Sequence, residues 1–140
     1  MTTLLEFFLN YLDFLYLDPR FRITDSSTSG VATNNASLTL TSPVTTWQIS
    51  NDRGQIQLDV APTKSADQPR NWFRLSIIRQ YLDDYDETNM VSPTEAVAWA
   101  RDNRDRIDDL FSDTSVAESC EALIALEDAN AVKYWGPSRP

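Results

Sequence analysis

Apolar and polar residues follow two different periods along this chain, and each period predicts a different kind of element. In the first segment, Glu6, Asn10 and Asp13 are spaced i, i+4 and i+7, and nearly every other residue is apolar. Residues at this spacing lie on one stripe of a helix. The pattern therefore predicts a helix over residues 3–17 that is buried on most sides and ends before Pro19.

The middle of the chain has the two-residue period that is typical of half-buried β-strands. Apolar and polar residues alternate at 21–25, 38–41, 47–50 and 55–60. Gly54 lies between the last two of these segments and can take the positive φ angle that a tight hairpin requires. We expect a four-stranded antiparallel sheet whose apolar face is formed by Phe21, Ile23, Leu38, Leu40, Trp47, Ile49, Ile56, Leu58 and Val60.

Helical spacing returns in the second half of the chain and predicts a helix over residues 74–84. Ser92 begins a capping-box pattern, with proline and glutamate at helical positions one and three, and it predicts a helix that reaches Phe111. A second capping box, Ser115-Val116-Ala117-Glu118, predicts the last helix. An N-terminal helix, a four-stranded antiparallel sheet and three further helices indicate a single α+β domain over residues 1–140.

The composition removes several kinds of chemistry. The 140 residues include no histidine, one cysteine and three glycines. Without histidine, the chain cannot form a Ser-His-Asp or Cys-His catalytic site or a histidine-ligated zinc site. One cysteine allows neither an intramolecular disulfide nor a thiolate zinc site, and there is no glycine-rich phosphate loop. We therefore expect a protein without enzymatic activity and without a cofactor.

The charge of the chain restricts its partners. Twelve basic and 21 acidic residues give a net charge of −9, and most of the excess lies in the second half. Such a surface repels the phosphates of nucleic acid and anionic lipid, and it attracts a basic protein. The first basic residue is Arg20, and no apolar run reaches the roughly 20 residues of a membrane span. We expect a cytoplasmic protein that binds neither nucleic acid nor membrane.

Acidic residues are concentrated in two places, the segment 83–87 and the polar side of the helix that follows Ser92. Carboxylates in these positions form no catalytic spacing, but exposed together they would attract a basic partner. The candidate partner-binding residues are Asp83, Asp84, Asp86, Glu87, Asp102, Asp105, Asp108 and Asp109.

The segment 84–95 also matches part of an EF-hand calcium loop. Asp84 and Asp86 would occupy positions 1 and 3, and Glu95 would occupy position 12. Position 6 is Asn89 where a glycine is typical, and Glu95 is already explained by the capping box. Calcium binding by this segment therefore stays open as an alternative.

The middle of the chain carries a set of structural residues: Phe21-Arg22-Ile23-Thr24-Asp25-Ser26, Trp47, Asn51-Asp52-Arg53-Gly54-Gln55, Leu58-Asp59, Trp72-Phe73 and Leu75-Ser76-Ile77-Ile78-Arg79. Over residues 21–111, this pattern resembles small immunity proteins of bacterial polymorphic-toxin and contact-inhibition systems. The resemblance implies a small, cytosolic, acidic protein without enzymatic activity. Such a protein binds a cognate toxin domain, often a nuclease, and covers its active site or an essential surface. No functional residue is carried over by this resemblance.

Two functions follow as expectations. The first is an immunity protein whose acidic residues contact a basic surface of a cognate toxin. The second is a cytosolic adaptor, or a homodimeric interaction domain, that uses the apolar first helix. The salt dependence of binding distinguishes the two functions, because salt weakens contacts between exposed charges and has little effect on apolar association.

Overall fold

The computed structural model of this protein describes residues 2–28, 36–52, 55–86 and 91–135, and its architecture is α+β. Five strands form one antiparallel sheet in the order β1-β2-β3-β4-β5. The strands are β1 (Arg22–Thr28), β2 (Ala36–Thr41), β3 (Thr45–Asp52), β4 (Gln55–Pro62) and β5 (Phe73–Arg74). The four predicted strands are confirmed. The fifth strand, β5, is not predicted because a strand of two residues shows no alternation.

The N-terminal segment forms two helices where the sequence predicts one. Helix α1 (Thr2–Tyr11) and helix α2 (Asp13–Tyr16) are separated at Leu12, whose φ of −108° and ψ of 28° are not helical. One face packs into the core through Leu4, Phe8, Leu12 and Leu15. The expectation of burial on most sides is wrong, because large apolar side chains are also exposed at Leu5, Leu9, Tyr11 and Leu17.

The apolar face of the sheet is confirmed with one exception. Ile23 is 56% exposed, although alternation places it on the buried face. It lies in the edge strand β1, next to a register shift between Ile23 and Asp25, and the side chains of 22–26 are all exposed. Alternation assigns a residue to a face, but it does not show whether another layer covers that face.

Strands β3 and β4 pair in continuous register from Thr45 opposite Pro62 to Asp52 opposite Gln55. Two residues connect them, and both lie outside the described residues, including Gly54, at which the sequence predicts the turn.

Four α-helices follow the sheet: α3 (Leu75–Asp83), α4 (Pro93–Asp102), α5 (Arg104–Leu110) and α6 (Val116–Trp135). Two short 3₁₀ helices, Thr63–Ser65 and Pro69–Asn71, lie between β4 and β5. The predicted cap is confirmed, since the Ser92 hydroxyl accepts a hydrogen bond of 3.3 Å from the Glu95 N–H.

The helix predicted to reach Phe111 is divided at Asn103, between α4 and α5. The Asn103 side-chain amide donates to the Trp99 carbonyl at 2.8 Å, and its oxygen accepts from Arg106 at 2.8 Å. Asparagine side chains compete for backbone groups in this way, which makes asparagine a poor residue for a helix interior.

Side chains from the sheet and from the helices join one buried apolar cluster. Trp47 and Phe73 are its largest fully buried members. Phe14 meets the Trp47 ring edge-on at 5.9 Å, and Phe111 stacks on Phe73 at 6.1 Å. Burial of each such ring contributes roughly 2–3 kcal/mol, so these contacts hold α2 and the end of α5 against the sheet. Within the described ranges, every helix is too short or too polar to cross a membrane.

Candidate protein-binding surface

The acidic segment after α3 begins with an unusual backbone conformation. Asp84 follows the last residue of α3 and has φ 54° and ψ 34°, in the left-handed region. Aspartate is one of the few residues other than glycine that enter this region readily, so it ends the helix here. Asp83, Asp84 and Asp86 are all exposed, whereas Glu87 lies outside the described residues.

Asp83 is held by two donors. Its Oδ2 accepts from the Trp99 indole N–H at 2.9 Å, and its Oδ1 pairs with an Arg106 guanidinium nitrogen at 2.8 Å. The hydrogen bond from Trp99, together with that from Arg106, lowers the pKa of Asp83 below its ordinary value, so it is ionised at neutral pH. Arg106 also donates to the Leu82 carbonyl at 3.1 Å and therefore fastens the end of α3 to α5.

Three exposed carboxylates form a row along the outer side of α4 and α5. Asp102, Asp105 and Asp109 are spaced i, i+3 and i+7, which places them on one side of nearly continuous helix. No described residue forms a hydrogen bond or an ion pair with any of the three side chains. We call this set the acidic row.

The fourth carboxylate of this helix, Asp108, points the other way. Its side chain is 17% exposed, and it accepts a hydrogen bond of 3.2 Å from the Thr45 hydroxyl. Arg104 lies 3.8 Å away and Arg20 lies 4.0 Å away. Burial raises the pKa of Asp108, against the hydrogen bond from Thr45 and the charge of Arg20. The expectation that Asp108 is exposed is therefore wrong, and it belongs to the interior contacts of α5.

The structure thus divides the predicted residues into three groups. The acidic row is exposed and has no described partner, the segment 83–86 is attached to α5 through Arg106, and Asp108 is directed inward. The sequence places all four aspartates on one polar side of the helix, and no sequence signal separates Asp108 from its neighbours, because its partner Thr45 is 63 residues away.

The calcium alternative is left without support from the described residues. They contain no group of three or more acidic or cysteine side chains that could hold a metal ion. Residues 87–90, which would supply the middle of an EF-hand loop, lie outside the described ranges, so this alternative stays a prediction.

A groove of about 600 Å³ lies beside the sheet, and no sequence pattern indicates it. One wall is the outer edge of β4, and the others come from α3, from the start of α4 and from the residues before it. Arg79 lies in this groove, with its guanidinium carbon 4.1 Å from the Tyr85 ring centre and 5.6 Å from that of Trp99. Helical and strand periods describe single elements and cannot show a space between them.

Comparison of the chain with family models, with curated proteins and with solved structures finds no match.

Proposed function

We propose that this protein is an immunity protein that binds a cognate bacterial toxin domain and neutralises it by covering a basic surface. The observation that carries the proposal is the acidic row, in which three neighbouring carboxylates are exposed and unpaired among the described residues. Unpaired charges of one sign speed the encounter with an oppositely charged partner and disfavour partners of like charge.

The support beneath the acidic row favours this role. Arg104 pairs with Asp18 and donates to the Phe14 carbonyl at 2.8 Å, so the inner side of α5 is held against the N-terminal segment. Arg106, also on α5, forms an ion pair with Asp83 at the end of α3. The carboxylates therefore project from a fixed helix, and less conformational freedom is lost when a partner binds.

A toxin that acts on nucleic acid would present the matching chemistry. The cleft of such a domain is basic because it holds phosphates, and a row of carboxylates can occupy the same positions. In this proposal the chain acts by occlusion and performs no catalysis itself.

The test has two stages. In the first, the tagged chain captures its partner from lysate of the native host at low and at high salt, and mass spectrometry identifies the partner. In the second, the captured domain is expressed with and without this chain, and both growth and the activity of the purified domain are measured.

We expect a basic toxin domain, recovered in stoichiometric amount at low salt, whose activity and toxicity are abolished by this chain. A partner without toxic activity, or a toxin that stays active with the chain bound, contradicts the proposal.

A second candidate function is self-association through the N-terminal helices. It is favoured by the exposed leucines, of which Leu9 is 59% and Leu17 is 72% exposed. Leu5 and Leu9 are four residues apart and form one apolar strip on α1. Light scattering distinguishes this function, since a dimer would have twice the mass of the chain at low and high salt, and Leu9→Lys would return it to a monomer.

A further inference from the structure

We infer that the groove beside β4 binds an extended polypeptide segment that carries an acidic side chain. The segment adds as a strand to the open edge of β4, and its carboxylate pairs with Arg79. This interaction goes beyond the proposed immunity function, because it uses a separate surface and a partner of the opposite charge.

Among the described residues, the outer edge of β4 is paired with another strand over only part of its length. Strand β5 pairs only with Asp59 and Val60, so residues 55–58 have β3 on one side and no described strand on the other. These four residues line the groove. An edge strand directs the N–H and C=O groups of every second residue outward, and an added strand satisfies them.

The remaining walls provide apolar space for alternate side chains of such a segment. Leu75, Val91, Pro93 and Ala96 line the groove together with the Trp99 ring. In β-strand addition, the main chain contributes affinity, and pockets for every second side chain contribute specificity. The volume of about 600 Å³ lies within the range that is typical of ligand pockets.

Arg79 determines the charge of the occupant. Its side chain is partly buried between the Tyr85 and Trp99 rings, and none of its N–H groups has an acceptor among the described residues. The nearby carboxylate of Asp83 already accepts from Trp99 and Arg106. A planar guanidinium with unused donors is suited to a carboxylate, which it can bind through two parallel hydrogen bonds.

Arg74 adds a second positive charge at the same groove, in a chain whose net charge is −9, and this charge is shared with the nearby carboxylates of Asp59 and Glu127. An acidic segment is therefore repelled by most of this surface and attracted here. A free small anion would bind Arg79 but would leave the outward main-chain groups of residues 55–58 without partners. A polypeptide segment can pair with both, so it fits the groove better.

The test selects a displayed library of random heptapeptides against the full-length chain. We expect the selected peptides to alternate apolar and polar residues and to share one Asp or Glu. On binding, hydrogen exchange should slow at residues 55–58. Selected peptides without a common acidic residue, or slower exchange at another part of the chain, would overturn the inference.

Variants then test the role of Arg79. Arg79→Gln should weaken binding of a selected peptide about tenfold or more, and Arg79→Lys should weaken it less, because lysine keeps the charge but not the planar fork. Arg101→Gln is the matched control, since Arg101 is exposed on α4 and has no described partner. Equal binding by the two Gln variants, with both folded by circular dichroism, would contradict the inference.

Two further measurements distinguish the peptide groove from a small-anion site and from the acidic row. Inorganic phosphate that binds as tightly as the peptide, without protection of β4, would show a small-anion site and overturn the inference. The double variant Asp105→Lys/Asp109→Lys should bind the peptide as the wild type does, so failure of the immunity proposal leaves this result unchanged.

Discussion

The two sides of helix α5 carry the same acidic residue type in opposite states. On the inner side, Asp108 is mostly buried, bonded to Thr45 and close to Arg104. On the outer side, Asp105 and Asp109 are exposed and have no described partner. An aspartate of α5 is therefore structural where buried donors and cations face its carboxylate, and available for binding where only solvent faces it. The inner side should therefore control stability, and the outer side should control association.

The largest expected effect comes from Arg104→Met, which removes the more buried of the two arginines on the inner side, the other being Arg20. Asp18 is 11% exposed and Asp108 is 17% exposed, so both carboxylates would lose a partner where water cannot fully replace it, while Arg20 would stay 2.9 Å from Asp18 and 4.0 Å from Asp108. We expect the free energy of unfolding to fall by about 3 kcal/mol, measured by urea denaturation. Arg101→Met, at an exposed arginine of α4, is the control and should change it by less than about 0.5 kcal/mol. An equal loss of unfolding free energy in Arg104→Met and Arg101→Met would show that the inner side does not control stability.

Thr45→Val should have the next largest effect. Thr45 is fully buried, and its hydroxyl donates to Asp108 and accepts from the Trp47 indole N–H at 3.1 Å. Valine has a similar shape but leaves the indole N–H without an acceptor in the core. We expect a loss of about 2 kcal/mol in chemical denaturation. Thr41→Val, whose hydroxyl contacts the exposed Thr24, should cost much less, and a similar cost for both would refute the role of the buried hydroxyl.

Asp59 extends the comparison to a half-buried carboxylate of the sheet. Burial raises its pKa above the ordinary value, and the charge of Arg74 opposes this shift. A raised folded-state pKa means that the folded protein retains its proton to higher pH than the unfolded chain. Stability from this group is therefore present at low pH and is lost as the pH rises through the folded-state pKa.

Asp59→Asn should accordingly reduce the decline in melting temperature as the pH rises above the ordinary titration range of aspartate carboxyls. Some decline should remain, because burial also raises the pKa of Asp108 and that of Glu127. Asp67→Asn, at an exposed carboxylate, is the control. A variant with the same pH profile as the wild type would contradict the assignment to Asp59.

The smallest expected effect on stability is on the outer side. Asp105 and Asp109 are four residues apart, so their like charges repel weakly, and Asp109 lies near the negative end of the helix dipole. Asp109→Asn should change the free energy of unfolding by less than about 0.5 kcal/mol, in the stabilising direction. A loss of more than about 1 kcal/mol would show that Asp109 has a structural role.

The contrast between local and distant contacts also accounts for how much of the molecule could be predicted. Alternation located four strands, and the Ser92 cap located the start of α4, because these signals involve neighbouring residues. The exposure of Ile23, the inward direction of Asp108 and the groove around Arg79 depend on segments that are distant in the chain. Local spacing places Asp102, Asp105 and Asp109 on the polar side of the helix together with Asp108, but it does not show that only these three lack a partner among the described residues.

Binding of the acidic row to the basic surface of a toxin domain can be tested with one set of affinity measurements. The dissociation constant of the captured toxin domain is measured for the wild type, for Asp102→Lys/Asp105→Lys/Asp109→Lys and for a control triple. The control changes Asp25, Asp67 and Glu121 to lysine, which alters net charge equally at exposed residues outside the row. The account predicts that the row triple weakens binding about a hundredfold or more, while the control weakens it only a few-fold. Equal weakening by the two triples would show a general charge effect and contradict the claim.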